Sequence, residues 1–143
     1  MRDIFSGWQF WALLSALFAA LTAIFGKIGV ERVSADFATL IRTVVILAFI
    51  LAIVVATQTS QPLSSISKRT YVFLVLSGLA TGASWLCYYR ALKLGQASQV
   101  APIDKLSVVF VALLATVFLG EHLSLKHWLG VAAVASGAVL LAV

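Results

Sequence analysis

Five long apolar runs, divided by short polar or glycine-bearing connections, set out the chain. They lie near residues 8–25, 35–57, 71–92, 99–119 and 125–143. Each run is continuous rather than alternating, which excludes the strands of a membrane barrel and predicts a helix. About 20 apolar residues, rising 1.5 Å each, cross about 30 Å of hydrocarbon. The pattern therefore predicts an all-α integral membrane protein with five transmembrane helices in a single domain, residues 1–143. The connections fall at residues 26–34, 58–70, 93–98 and 120–124. Pro62 with its Ser, Gln and Thr neighbours marks the second as a true loop. The others are tight, so successive helices should run antiparallel to one another. The first run is short on basic residues at its start, and no A-x-A pattern precedes Lys27, so it reads as a retained span rather than a signal peptide.

Composition strengthens this reading. Hydrophobic residues make up 62% of the 143, charged residues 10%, and mean hydropathy is +1.08. A soluble globule has about 25% charged residues, so this chain lacks the polar surface to coat itself in water, and its first partner is the lipid bilayer. The formal charge of +5 is scattered over helix ends rather than gathered in a patch, which does not fit nucleic acid. The lone Cys87 excludes an internal disulfide and reads as a small apolar packing residue. No H-E-x-x-H, G-x-S-x-G or glycine-rich phosphate loop is present, and His122 and His127 lack an evident third ligand. Neither an enzyme, nor a metal site, nor a cofactor is expected.

Five spans put the termini on opposite sides. Trp8, Trp11, Tyr71 and Trp128 all fall at headgroup depth on the N-terminal side, consistent with that parity. The basic residues choose no side. Arg2, Lys68, Arg69 and Lys126 lie on one face; Lys27, Arg32, Arg90 and Lys93 lie on the other, with Arg42 and Lys105 deeper below it. The positive-inside rule gives a near tie.

The charges inside the spans pose the sharper question. With Ser98 as the N-cap of the fourth span and Pro102 in its first turns, Lys105 lies about 10 Å along the helix. Lys105 can snorkel to the interface; Asp104 has a shorter stem and needs protein, water or a cation. Neighbouring residues on a helix point about 100° apart, so Asp104 and Lys105 are expected to find partners on other helices rather than in each other. Arg42, about two turns into the second span if Ser34 caps it, belongs to the same half of the bundle. That half holds Lys27, Arg42, Arg90 and Lys105 against Glu31, Asp36 and Asp104. A polar cavity open to one face and a structural ion-pair network both accommodate these groups. Trp85, Tyr88 and Tyr89, at i, i+3 and i+4, share one helical face with Thr81 and Ser84 near it. Rings and hydroxyls beside basic residues suit a small polar organic solute, and belt residues at the interface account equally for Tyr88 and Tyr89. Small residues mark close helix contacts: Gly78 and Gly82 on the third span, and Gly130, Ala133 and Gly137 on the fifth.

The stretch "YYRALKLGQASQVAPIDKLSVVFVALLATVFLGEHLSLKHWLGVAAVASGAVLLAV" resembles the C-terminal half of an EamA-like repeat, the unit of the drug/metabolite transporter superfamily. The shared features are the aromatic–ALKLG turn, the AP at the start of span four, the FLGE ending and the L-x-x-x-x-W-L-G opening of span five. "FATLIRTVVILAFI" resembles the family's second span, Arg42 included, and Lys27 falls where related repeats carry a basic residue. Members of that superfamily usually hold two such repeats in opposite orientation, and this chain resembles one. The resemblance implies half of a transporter, completed by a second copy in an antiparallel homodimer of dual topology or by another single-repeat chain. The small multidrug transporters of the same superfamily rely on a carboxylate in the middle of span one. None stands between Ser6 and Lys27 here, which weakens a reading as a proton/drug-cation antiporter.

The implied function is transport, by export, of small polar metabolites such as amino acids or organic acids across the bacterial inner membrane. Lys27, Arg42, Trp85, Tyr88, Tyr89, Arg90, Asp104 and Lys105 line the path, and Arg42 is the clamp for a carboxylate that stacks against Trp85. The alternative is a non-transporting membrane subunit that assembles with, or regulates, a larger membrane complex.

Overall fold

A computed structural model describes residues 7–142, which leaves Arg2 and the last position of the fifth predicted span outside the described residues. Six α-helices and a 3-10 turn follow in order: α1 (Trp8–Val30), α2 (Ala35–Thr57), the turn Leu63–Ser65, α3 (Lys68–Leu94), α4 (Ala97–Asp104), α5 (Ser107–Phe118) and α6 (Leu125–Ala142). The described residues contain no strand. With α4 and α5 counted together, five segments are long and apolar enough to cross a membrane. Among the described residues most large apolar side chains are exposed, and only a few, Val30 and Leu92 most completely, are shut away. That is an all-α membrane protein, whose apolar exterior meets hydrocarbon instead of water.

The helix ends follow from local chemistry. Ser34 caps α2, its Oγ accepting the Phe37 N–H at 3.3 Å, and Asp36 in the first turn faces the positive end of the helix dipole. The other end of α2 closes as a Schellman motif. Gln58, at φ 52°, donates to Val55 O and Thr59 donates to Val54 O. Ser67 Oγ accepts the Thr70 N–H at 3.1 Å and starts α3 three residues before the expected Tyr71. Helix α1 runs through Gly26 to Val30, so Lys27 is helical rather than part of a connection. At α6, Ser124 and the His127 ring hold each other across the first turn, the Ser124 N–H donating to Nδ1 at 3.3 Å.

The fourth span departs most from expectation. Gln96, not Ser98, occupies the N-cap position, and it caps with its backbone alone. The span is not one helix: α4 ends at Asp104 and α5 begins at Ser107. Pro102 has no N–H to return to Ser98, and beyond it the chain tightens into i→i−3 bonds, Lys105 to Pro102 O at 3.1 Å and Leu106 to Ile103 O at 3.0 Å. After α5 the chain reverses at Gly120, φ 67°, where Glu121 N–H reaches Ala115 O.

The chain groups into two compact units. One comprises residues 28–93; the other takes the described residues up to Lys27 and those from Leu94 onward. In the second unit α4 and α5 both pack against α6, which buries Ala138. Among the described residues, a Cβ added at Gly78, Gly82, Gly130 or Gly137 would meet nothing within 4 Å, and Ala133 is exposed. Cys87, expected to pack inside, is exposed on α3.

Candidate functional site

The unit of residues 28–93 brings the helix pair α2 and α3 together around Arg42. Arg42 stands seven residues after Ala35, about 10 Å along α2 at 1.5 Å per residue. Its guanidinium carbon sits 4.0 Å from the centre of the Trp85 ring and 5.4 Å from that of Tyr89. Trp85 and Tyr89, one turn apart on α3, present the same face. Tyr89 is buried and meets Tyr88 edge-on, ring centres 6.4 Å apart. Cation–π attraction of this kind is worth about 0.5–1 kcal/mol where exposed and about 2 where desolvated. A ring offers a guanidinium its π-face and gives the N–H groups no conventional acceptor. Arg42 Nη1 is accordingly buried with no hydrogen-bond partner.

The neighbouring charges do not serve it. Asp36 is held by Arg90, whose Nη2 reaches Oδ1 at 3.0 Å and Oδ2 at 3.2 Å while Nε reaches Oδ1 at 3.2 Å. Lys93, which the sequence places in a loop facing bulk water, is in α3 and donates to Val33 O at 2.8 Å. These contacts tie the start of α2 to the end of α3. Lys93 carried no usable signal in the sequence, because a backbone carbonyl has no residue type to reveal it.

The remaining predicted residues lie in the other unit. Lys27 Nζ donates to Gly95 O at 2.8 Å. Asp104 and Lys105 bond to each other, Nζ to Oδ2 at 3.3 Å. That corrects the expectation that neither could satisfy its neighbour. The long, flexible stem of Lys105 carries Nζ back across the angle between the two residues, and both side chains remain part-exposed there, at 55% for Lys105 and 37% for Asp104. Among the described residues no group of three or more His, Cys, Asp or Glu side chains could hold a metal.

Comparison with known proteins points one way. The model of the EamA-like transporter family matches residues 6–143. A Sinorhizobium sp protein named "Uncharacterized transporter in cobO 3'region" is 67% identical over 136 residues, 95% of this chain and 96% of that protein. A Yersinia pestis (strain Pestoides F) protein named "Probable 4-amino-4-deoxy-L-arabinose-phosphoundecaprenol flippase subunit ArnE" is 33% identical over 81 residues, 57% of this chain and 71% of that protein. The protein of the same name from Yersinia pseudotuberculosis serotype O:1b matches to the same extent. No solved structure matches the chain.

Proposed function

The chain belongs to the EamA-like transporter family, and we propose that it is half of an antiparallel dimeric transporter exporting small metabolites that carry a carboxylate. It is a multi-pass membrane protein, and the bacterial origin of its relatives puts it in the inner membrane. The transporter names of its family and relatives describe passage rather than catalysis. On this reading the whole chain is one EamA-like domain. A second copy in the opposite orientation supplies the other half of the path, and the stripe of Gly130, Ala133 and Gly137 on α6 is where the copies approach. Open space at Gly130 and Gly137 supports this, because a Cβ added at either would meet nothing within 4 Å among the described residues.

The observation that carries the proposal is Arg42. A guanidinium about two turns inside a membrane span is a costly thing to keep. It cannot shed its charge, and its buried Nη1 has no acceptor. The nearest carboxylate on its own helix, Asp36, is taken by Arg90. A solute carboxylate satisfies all three facts: it supplies the missing acceptor, neutralises the charge and fits the planar donor fork.

Counterflow in liposomes holding only this chain tests the proposal. Radiolabelled L-alanine should accumulate against an unlabelled internal pool, Arg42→Gln should abolish that uptake at unchanged expression and dimer yield, and Arg42→Lys should recover part of it. A preference for quaternary ammonium solutes would overturn the carboxylate assignment. A second reading, a subunit that works only with a different chain, is favoured by the likeness to proteins named as flippase subunits. It predicts no counterflow from this chain alone.

A further inference from the structure

We propose that Trp85 and Tyr89 are positioning residues for Arg42 rather than the surface on which a solute stacks, so that the site selects a carboxylate without regard to what the carboxylate is attached to. This rests on the carboxylate reading of Arg42 and narrows it. The geometry differs from the simple expectation of an open aromatic platform. The guanidinium carbon lies 4.0 Å from the Trp85 ring centre, and that separation leaves no room for a second ring between them. The ring face turned toward α2 is therefore occupied by protein. A solute ring stacked there would have to displace Arg42 and so lose the cation that binds its carboxylate.

Tyr89 acts on the same group from 5.4 Å. It is buried and meets Tyr88 edge-on. Guanidinium donors lie in its plane and its faces carry none. A ring that holds the guanidinium therefore fixes it in place without spending an N–H. What the rings leave without an acceptor is Nη1, which is buried and unpartnered. An acceptor that serves it needs two oxygens side by side to use the fork. Small aliphatic carboxylates meet this requirement as well as aromatic ones do.

Equilibrium binding of radiolabelled L-alanine and L-phenylalanine to the full chain in nanodiscs tests this inference. The wild type should bind the two within about threefold of each other. Trp85→Leu should weaken both by the same factor, about threefold to thirtyfold, the span of a cation–π contact between exposed and desolvated settings. Trp85→Phe should regain most of the loss, since a ring face is all that Arg42 needs. Unequal losses, with phenylalanine weakened and alanine untouched, would make Trp85 a stacking surface and overturn the inference. So would Trp85→Leu binding both as the wild type does. Arg42→Gln separates the two levels. If it binds both solutes normally, the carboxylate clamp itself is wrong. If it binds neither while Trp85→Leu loses only phenylalanine, the clamp stands and the positioning role falls. A poorly folded Trp85→Leu preparation is recognised by a lowered SDS-titration midpoint, and only a variant with the wild-type midpoint that weakens both solutes equally supports the positioning role.

Discussion

The brace between α2 and α3 allows a quantitative test of how charge and helix dipole combine in this fold. Asp36 and Arg90 make three contacts of 3.0–3.2 Å, but their side chains are 62% and 60% exposed. Solvent screening holds an exposed pair of this kind to about 0.2–1 kcal/mol. Asp36 has a second source of stabilisation: it stands in the first turn of α2, where the helix dipole favours a carboxylate by about 0.3–1 kcal/mol. Arg90 is four residues before the end of α3, where the dipole has largely faded. Arg90→Gln should therefore cost about 0.2–1 kcal/mol and Asp36→Asn about 0.5–2 kcal/mol. Exchanging the two charges, Asp36→Arg with Arg90→Asp, rebuilds the pair but sets a cation against the positive end of α2. It should remain about 0.5–2 kcal/mol below the wild type. Titration with SDS from bicelles, followed by tryptophan fluorescence, measures each difference. The pair contribution should shrink as salt is raised, because both groups are exposed. Equal losses from the two single substitutions, or an exchanged pair as stable as the wild type, would refute the reasoning.

Other outcomes follow from the same physics. Asp104→Asn and Lys105→Met should each lower the yield of folded protein more than the two together, because either alone leaves a single charge about 10 Å inside a span; purified yield and SDS titration read this. Gln58→Gly should stabilise α2 by about 1 kcal/mol, since Gln58 holds a left-handed φ of 52° that a side chain disfavours, whereas Gly120→Ala should destabilise by a similar amount. Dual topology predicts that two reporters fused to the C-terminus, one active only in the cytoplasm and one only outside it, both give signal; one silent reporter would require a different partner chain. If α6 is where two copies meet, Gly137→Leu should lower crosslinked dimer at equal expression, and an unchanged yield would move the contact elsewhere.

Much of the fold can be read from apolar run length and caps. The bounds of α2, Ala35–Thr57, coincide with the expected run because Ser34 is an unambiguous N-cap. Helix α1 runs past its expected end because a glycine inside a helix costs only about 1 kcal/mol relative to Ala, so Gly26 does not stop it. The break between α4 and α5 is not legible in run length, because the apolar run continues past Pro102 and only the i→i−3 bonds that follow it mark the change. The ion pair of Asp104 and Lys105 depends on a side-chain rotamer that helical periodicity does not give. At the site, the i, i+4 spacing put Trp85 and Tyr89 on one face, and run length put Arg42 two turns into its span. That the Trp85 ring is covered by Arg42 depends on the register of α2 against α3, which neither helix's own sequence encodes.

Whether Arg42 holds a carboxylate during transport is read from L-alanine counterflow in liposomes containing the chain with Arg42→Gln, beside the wild type and Arg42→Lys. Accumulation is expected with the wild type, a reduced rate with Arg42→Lys and none with Arg42→Gln at equal reconstituted protein. Accumulation by Arg42→Gln at the wild-type rate would contradict that role and leave Arg42 with its aromatic contacts as a structural feature of the α2–α3 pair.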